Sequence, residues 1–276
     1  MSVAVTLTIS DGLIMGVDSA VTISFGVGKT NIYEDAEKLF QLGEKRIGIA
    51  TVGMAGIGER SIGSFIREFE SKDPDGAMAR SCPLDEVVES LRRFFYEPYA
   101  TIIIPAVEQL QGMPFDQVPP ANRPALGLLV GGYSDGEFLP ELWQIAIPEA
   151  KVVGSAQQLQ KRGTVGLTWH AVSRPIHRYI KGFDAPLLAE LDALLLRLLK
   201  RPLTPGELKE FQDIFARNEY QFVYGSMPVN CGVRFVRSLV NLVIEHYRMV
   251  AEDSVVGGEA RIGVVTYKGD KFQILK

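Results

Sequence analysis

A chain of 276 residues, 46% hydrophobic and 22% charged, is long enough to bury a sizeable core and too balanced in composition for disorder. Its net charge of −4 is spread over interspersed signs and no apolar run reaches the roughly 20 residues of a membrane span, so neither nucleic acid nor membrane is expected as a partner and the cytoplasm is the expected location. Cys82 and Cys231 stand far apart, with no second Cys or His at ligand spacing beside either; free thiols in a reducing compartment fit, with no metal and no cofactor expected.

The chain opens on apolar residues alternating at Val3, Val5, Leu7 and Ile9, then Asp11 and Gly12, then a second apolar run into Gly16, Val17 and Asp18. This pattern predicts a β-hairpin turning at Asp11-Gly12. An initiator Met is normally trimmed when a residue as small as Ser follows, which would expose Ser2 as the first residue. Its hydroxyl and a free α-amine, with an ordinary pKa of about 7.7–8.0, would then share one carbon, a nucleophile and its base in one residue.

Residues 21–37 read as a loop. Gly26, Gly28, Lys29 and Thr30 invite comparison with a phosphate-binding loop, but Ile23 stands where that pattern needs Gly. Strands are predicted over 38–42 and 46–52, joined by Gly43, Glu44 and Lys45, with a helix to about residue 70 starting directly after the second strand. Backbone amides at a strand-to-helix turn can hold a developing oxyanion, which makes Gly53 a candidate donor. Gly53, Gly56 and Gly58 equally suit close helix–sheet packing.

A surface turn over 71–76 precedes a helix over 84–96, whose apolar face is Leu84, Val87, Val88, Leu91, Phe94 and Phe95. A second helix is expected over 101–111 and a Pro-rich connection over 114–124. Strands over 125–130 and 141–147 flank Gly132-Tyr133-Ser134-Asp135-Gly136, which matches the Gly-x-Ser-x-Gly nucleophile elbow by letter. An elbow needs a helix after its Ser, and a strand-like run follows instead, so a hairpin turn is expected. His170, His177 and His246 stand in no motif that would support Ser134 as a nucleophile.

A short strand over 163–168 leads to a helix over 173–181, with Ser173 expected as its cap. Leu-rich and capped helices follow over 184–200 and 204–217, then the longest helical pattern over 229–250 and closing strands over 261–267 and 272–275. No repeat or second boundary emerges, so a single domain is expected. The Leu stripe over 184–200 reads as core more readily than as interface.

The hydroxyl residue after Met1, the hairpin, Gly16-Val17-Asp18-Ser19, Lys38 before an apolar strand, Thr51-Val52-Gly53, and Asp253 ahead of Gly257-Gly258 together resemble proteasome β-type subunits of the N-terminal nucleophile hydrolases and their Anbu-like bacterial homologues. The resemblance implies an α+β fold, the four-layer αββα sandwich with a helical insertion at about 183–220, and a peptidase or amidohydrolase acting on peptide or protein substrates through an acyl-enzyme on Ser2. It implies that Lys38, paired with Asp18, favours the deprotonated nucleophile, that Asp253 orients the α-amine, that Gly53 supplies an oxyanion donor, and that Ser173 supports the N-terminal residue. Val21, Thr51 and Ala55 would line a pocket for a small to medium apolar side chain. A homo-oligomeric ring or spiral, with an unfoldase as a further partner, belongs to the same picture.

This chain departs from that pattern in two places. Ser2 replaces the family's Thr and lacks the methyl group that restricts its rotamer, and Val256 stands where the family usually has Ser before the double Gly. Peptide ligation on the same nucleophile, as in connectase, and a catalytically silent assembly subunit are the alternative readings.

Overall fold

The structure, a computed structural model, describes residues 2–24, 30–78, 82–148, 154–250 and 256–275. It divides into two compact units, Met1–Val172 with Tyr224–Lys276, and Ser173–Val223. In chain order the strands are β1 (Val3–Ile9), β2 (Gly12–Val17), β3 (Val21–Ser24), β4 (Thr30–Tyr33), β5 (Leu39–Gln41), β6 (Ile47–Gly53), β7 (Gly56–Ile57), β8 (Arg60–Ser61), β9 (Leu126–Gly132), β10 (Glu141–Ile147), β11 (Ser155–Gln160), β12 (Gly166–Ala171), β13 (Arg261–Thr266) and β14 (Gln273–Leu275). The helices are α1 (Ile62–Lys72), α2 (Leu84–Pro98), α3 (Ile104–Gln111), α4 (Arg174–Lys181), α5 (Ala185–Leu199), α6 (Pro205–Asn218) and α7 (Val229–Met249).

All but α4, α5 and α6 belong to the first unit. Its two five-stranded sheets run in the orders β12-β1-β2-β13-β14 and β11-β10-β9-β6-β5, and every pairing within them is antiparallel. β6 faces β1, β2 and β13 across the interior, α7 packs on β1 and β2, and α2 packs on β9, β10 and β11. Close approach is written into the glycines. A Cβ on Gly16 would lie 2.6 Å from Val236 of α7, and one on Gly48 or Gly263 would lie 2.3 or 2.2 Å from the Phe272 ring. Phe272 thus fills the space between the sheets against one glycine from each, fully buried.

The hairpin of β1 and β2 forms with Ile9 opposite Gly12, so the two turn residues are Ser10 and Asp11 rather than Asp11 and Gly12. Gly12 answers to β13 instead, because a Cβ there would lie 2.4 Å from the Val265 carbonyl. Two further expectations are corrected. The stretch read as a loop over 21–37 contains the antiparallel pair β3 and β4; Gly26, Gly28 and Lys29, which suggested a phosphate loop, lie outside the described residues. No helix follows β6 directly: the hairpin of β7 and β8 intervenes, and α1 starts at Ile62 with Ser61 as its cap. Gly53 and Gly58 have φ of +86° and +61°, left-handed conformations that turn the chain back where a helix would have carried it on.

The helices expected over 84–96 and 101–111 are joined through a π-helical turn over Tyr99–Ile103, after Pro98, which cannot donate a backbone hydrogen bond. The strand expected over 163–168 is β12, shifted to Gly166–Ala171, and β11 ahead of it was masked in the sequence by the polar run Gln157, Gln158 and Gln160.

The second unit holds α4, α5 and α6, and the expected insertion at 183–220 falls within it. Asp184 caps α5 by accepting from Leu187 N at 3.1 Å and takes Arg174 Nε and Arg178 Nε at 2.6 and 2.8 Å, which holds its carboxyl far below the usual carboxylate range. Thr204 and Glu207 form a capping box at the start of α6. Leu194, Leu196, Leu198 and Leu199 of α5 are all exposed, so the Leu stripe that read as core is largely on the surface. Among the described residues no helix is long and apolar enough to cross a membrane.

Candidate active site

The site is built at the N-terminal end of β1, where the first sheet meets the segments leading into β5 and out of β6. Because β1 and β2 pair antiparallel with Ala4 opposite Val17, Val3 comes opposite Asp18, whose carboxylate accepts from Val3 N and so stands one residue along from Ser2. Lys38 arrives from the other sheet, one residue ahead of β5. All three side chains are buried.

Lys38 Nζ donates to Ser2 Oγ at 3.0 Å and to Asp18 Oδ1 at 2.9 Å. Asp18 also accepts from two backbone amides, Val3 N at 3.1 Å on Oδ1 and Gly257 N at 3.4 Å on Oδ2. A buried carboxylate is costly unless its lone pairs are used, and here an ammonium and two amides use them. Burial pushes the Lys38 ammonium below the ordinary lysine value of 10.5, opposed by the charge of Asp18 and the hydrogen bond to it. The arrangement therefore places a cation with a weakened hold on its proton against a hydroxyl oxygen, the condition under which a serine becomes a better nucleophile.

Ser2 and Lys38 open onto a cleft of about 700 Å³ that is also lined by Val21, Thr51, Gly53 and Ala55. Of the residues singled out in the sequence, the structure thus gathers Ser2, Lys38, Val21, Thr51, Gly53 and Ala55 around one cleft, with Asp18 behind Lys38. Gly53 ends β6; a Cβ there would lie 2.1 Å from the Ala125 carbonyl, so only glycine lets the strand leave β9 at this point. Thr51 is more than a lining residue. Its amide and its hydroxyl both donate to the Lys38 carbonyl, at 2.8 and 3.4 Å, and brace the backbone that carries the lysine.

Asp253 lies outside the described residues. Ser173 belongs to the second unit, at the N-cap position of α4; its carbonyl accepts from His177 N at 3.0 Å, but its hydroxyl makes no capping bond, in contrast to the cap expected. With φ −125° and ψ 4° the residue is not in the extended conformation that aims a capping hydroxyl at the helix amides.

The sequence did not point to Gly257 as the donor to Asp18, or to Glu37, Glu59 and Arg60 as charged residues on the cleft wall. Gly257 comes from a segment more than two hundred residues away and donates through its backbone, which leaves no residue type to mark it; Val256 before it is buried.

Ser134 is accounted for elsewhere. It accepts from Leu84 N at 2.8 Å and from Arg162 Nη2 at 3.0 Å and donates to the buried Glu141 at 2.7 Å, so it ties the start of α2 to β10. The chain after Gly136 runs on to β10 without a helix, which removes the nucleophile-elbow geometry. Ser134→Ala is expected to lower stability by about 1–3 kcal/mol, because the Leu84 amide and the Glu141 carboxylate lose a buried partner and Arg162 a half-buried one; urea unfolding checks it. Among the described residues no cluster of His, Cys, Asp and Glu is arranged to hold a metal ion.

No protein-family model matches the sequence, and no curated protein matches it. Solved structures do. The "Gly-1" mutant of Anbu from Hyphomicrobium sp. strain MC1 superposes with a TM-score of 0.56 at 11% identity, covering 100% of this chain and 86% of that one. This chain has the Anbu fold. Anbu from the same strain in another crystal form gives 0.48 at 11% identity over 99% and 85% of the two chains. Anbu from Yersinia bercovieri, described as an ancestral beta-subunit, gives 0.49 at 13% identity over 99% and 87%. The Anbu-like architecture expected from the sequence is borne out as a mixed α and β fold along the full chain. At 11% identity the Anbu likeness is one of fold, and the chemistry has to be argued from this chain's own residues.

Proposed function

We propose that this protein is a proteasome-like N-terminal nucleophile hydrolase in which removal of Met1 exposes Ser2 as the nucleophile. The observation that carries this reading is the placement of Lys38 Nζ 3.0 Å from Ser2 Oγ, held there by the buried Asp18 at the floor of a cleft large enough for a peptide segment. The two facing sheets with α7 on one side and α2 on the other support a four-layer αββα sandwich. In the reaction, Ser2 Oγ attacks a peptide carbonyl while its proton passes to the α-amine through a water. The tetrahedral oxyanion is held by backbone N–H groups near Gly53. Collapse breaks the C–N bond, the amine returns the proton to the leaving group, and water then hydrolyses the ester on Ser2.

The positive charge of Lys38 favours both the deprotonated hydroxyl and the neutral amine. Asp253 is assigned to orient the amine. Val21, Thr51 and Ala55 suit a small to medium apolar side chain before the cleaved bond; a panel of fluorogenic peptides in which acidic or basic residues are preferred there would remove that assignment. Assembly into a homo-oligomer accompanies the reading, in line with the Anbu fold.

Intact mass spectrometry before and after treatment with a peptide epoxyketone tests the proposal, because that electrophile closes a ring on a terminal hydroxyl and its free amine together. Loss of the Met1 mass and one adduct, abolished by Ser2→Ala, is the expected result. A retained Met1, or a trimmed chain that takes up no adduct, would overturn it in favour of a silent assembly subunit.

A further inference from the structure

Next to Asp18, the side chain of Ser19 is fully buried and joins two segments that are remote in sequence. Its hydroxyl donates to the Glu34 carbonyl and accepts from Glu259 N, the latter at 2.8 Å. Its own carbonyl accepts from Ala36 N at 2.7 Å, and Ala20 N, one residue on, donates to the Gly257 carbonyl at 3.2 Å. The two tied segments furnish two of the three partners of Asp18: residues 34–36 lead into Lys38, and residues 257–259 contain Gly257. Gly258 sits at φ +69°, and a Cβ there would lie 2.2 Å from Ser19 Oγ and 2.3 Å from the Glu34 carbonyl. Three backbone segments therefore meet on one hydroxyl with no room for another side chain.

We propose that Ser19 is the positioning residue of this site: its hydroxyl locks the 34–38 and 257–259 segments together and so fixes where Lys38 stands relative to Ser2 and Asp18. Ser19 does not line the cleft, and its hydroxyl is engaged by Glu34 and Glu259 rather than by Ser2. It acts through the backbone, and the hydroxyl is needed because it is at once a donor to one segment and an acceptor from the other. Alanine keeps neither bond and leaves the Glu34 carbonyl and the Glu259 amide without that partner. Without the clamp the 34–38 segment gains freedom, water reaches Lys38, and a displacement of the order of 1 Å at a reacting group is enough to cost about 100-fold in rate.

The role of Ser19 in catalysis rests on Ser2 being the nucleophile; its role in placing Lys38 does not, and one experiment separates the two. Lysine labelled with 13C at Cε is titrated by NMR in the wild-type protein, Ser19→Ala and Ser19→Cys, the last filling the hydroxyl's place with a somewhat larger and much weaker hydrogen-bonding group. Asp18 is the charged group in contact with Lys38, and Glu37, Glu59 and Arg60 lie on the same cleft, so none of them is changed. Burial is the main reason that Lys38 stands below 10.5, and loss of the clamp is expected to move its midpoint up towards that value in both variants. The same preparations are then treated with the epoxyketone, where labelling of both variants is expected to slow about 10- to 100-fold. A Lys38 midpoint that does not rise in a folded Ser19 variant overturns the positioning role, whichever of the two folds. Absence of an adduct on the wild-type protein would instead defeat the nucleophile reading, while the titration still judges Ser19.

Discussion

Lys38→Met is expected to slow acylation on the order of 10²–10³-fold and to destabilise the fold, and Asp18→Asn added to it is expected to restore most of the stability and none of the lost rate. The single substitution removes the ammonium 3.0 Å from Ser2 Oγ while leaving the Asp18 carboxylate buried without its counter-charge. Removing one such electrostatic partner in a water-poor site costs on the order of 10²–10³ in rate. Breaking a buried ion pair from one side costs about 3–5 kcal/mol, because the remaining charge keeps its desolvation penalty. The lower end applies here, since Val3 N and Gly257 N still donate to Asp18. In the double variant a neutral amide faces a thioether and no buried charge is left. Epoxyketone labelling rates and urea unfolding of the two variants check the pattern; a single variant as stable as the wild-type protein, or a double variant that regains labelling, would show that the pair is not coupled in this way.

The same residues show what sequence reasoning reaches. β1 and β2 are legible because Val3, Val5, Leu7 and Ile9 alternate and a two-residue connection closes the hairpin. α7 is legible because its apolar residues recur at helical steps and pack on that hairpin through Gly16 and Gly232. β3, β4 and β11 are not, since short strands with polar residues give neither period, and the β7 and β8 hairpin is hidden inside a glycine-rich run that also suits a helix start. Ser2, Asp18 and Lys38 have no local pattern that joins them. Only the resemblance of several short motifs in order grouped them, and periodicity alone would have left each as a turn, a cap or a surface charge. The clamp at Ser19 is further out of reach, because its partner Glu259 is 240 residues away and backbone groups supply every other end of it. A hydrogen bond to a main-chain atom leaves no residue type behind to be recognised.

Asp18→Asn alone is expected to move the alkaline limb of the rate profile to lower pH and to lower the plateau about 10- to 100-fold. Acylation as proposed needs a neutral α-amine and a charged Lys38, so the rate rises as the amine loses its proton and falls as Lys38 does. Lys38 already stands below 10.5 because burial outweighs the help of Asp18. Converting the carboxylate to an amide removes that help, leaves desolvation unopposed, and lowers Lys38 further. Stability must follow with a definite sign. A lysine whose folded value is depressed binds fewer protons in the native than in the unfolded chain between that value and 10.5, so stability rises with pH across the window and is lost as pH falls through the folded value. In Asp18→Asn the penalty at neutral pH is larger and its relief begins at lower pH, so the stability gap to the wild-type protein narrows as the solution is made alkaline. Urea unfolding at stepped pH from neutral to 10, run beside the labelling-rate profile, reads both effects on one preparation. A gap that stays constant with pH would mean that Lys38 is already uncharged in both native sites, because both stabilities would then rise in parallel, and the lysine itself rather than the α-amine of Ser2 would be the base of the reaction.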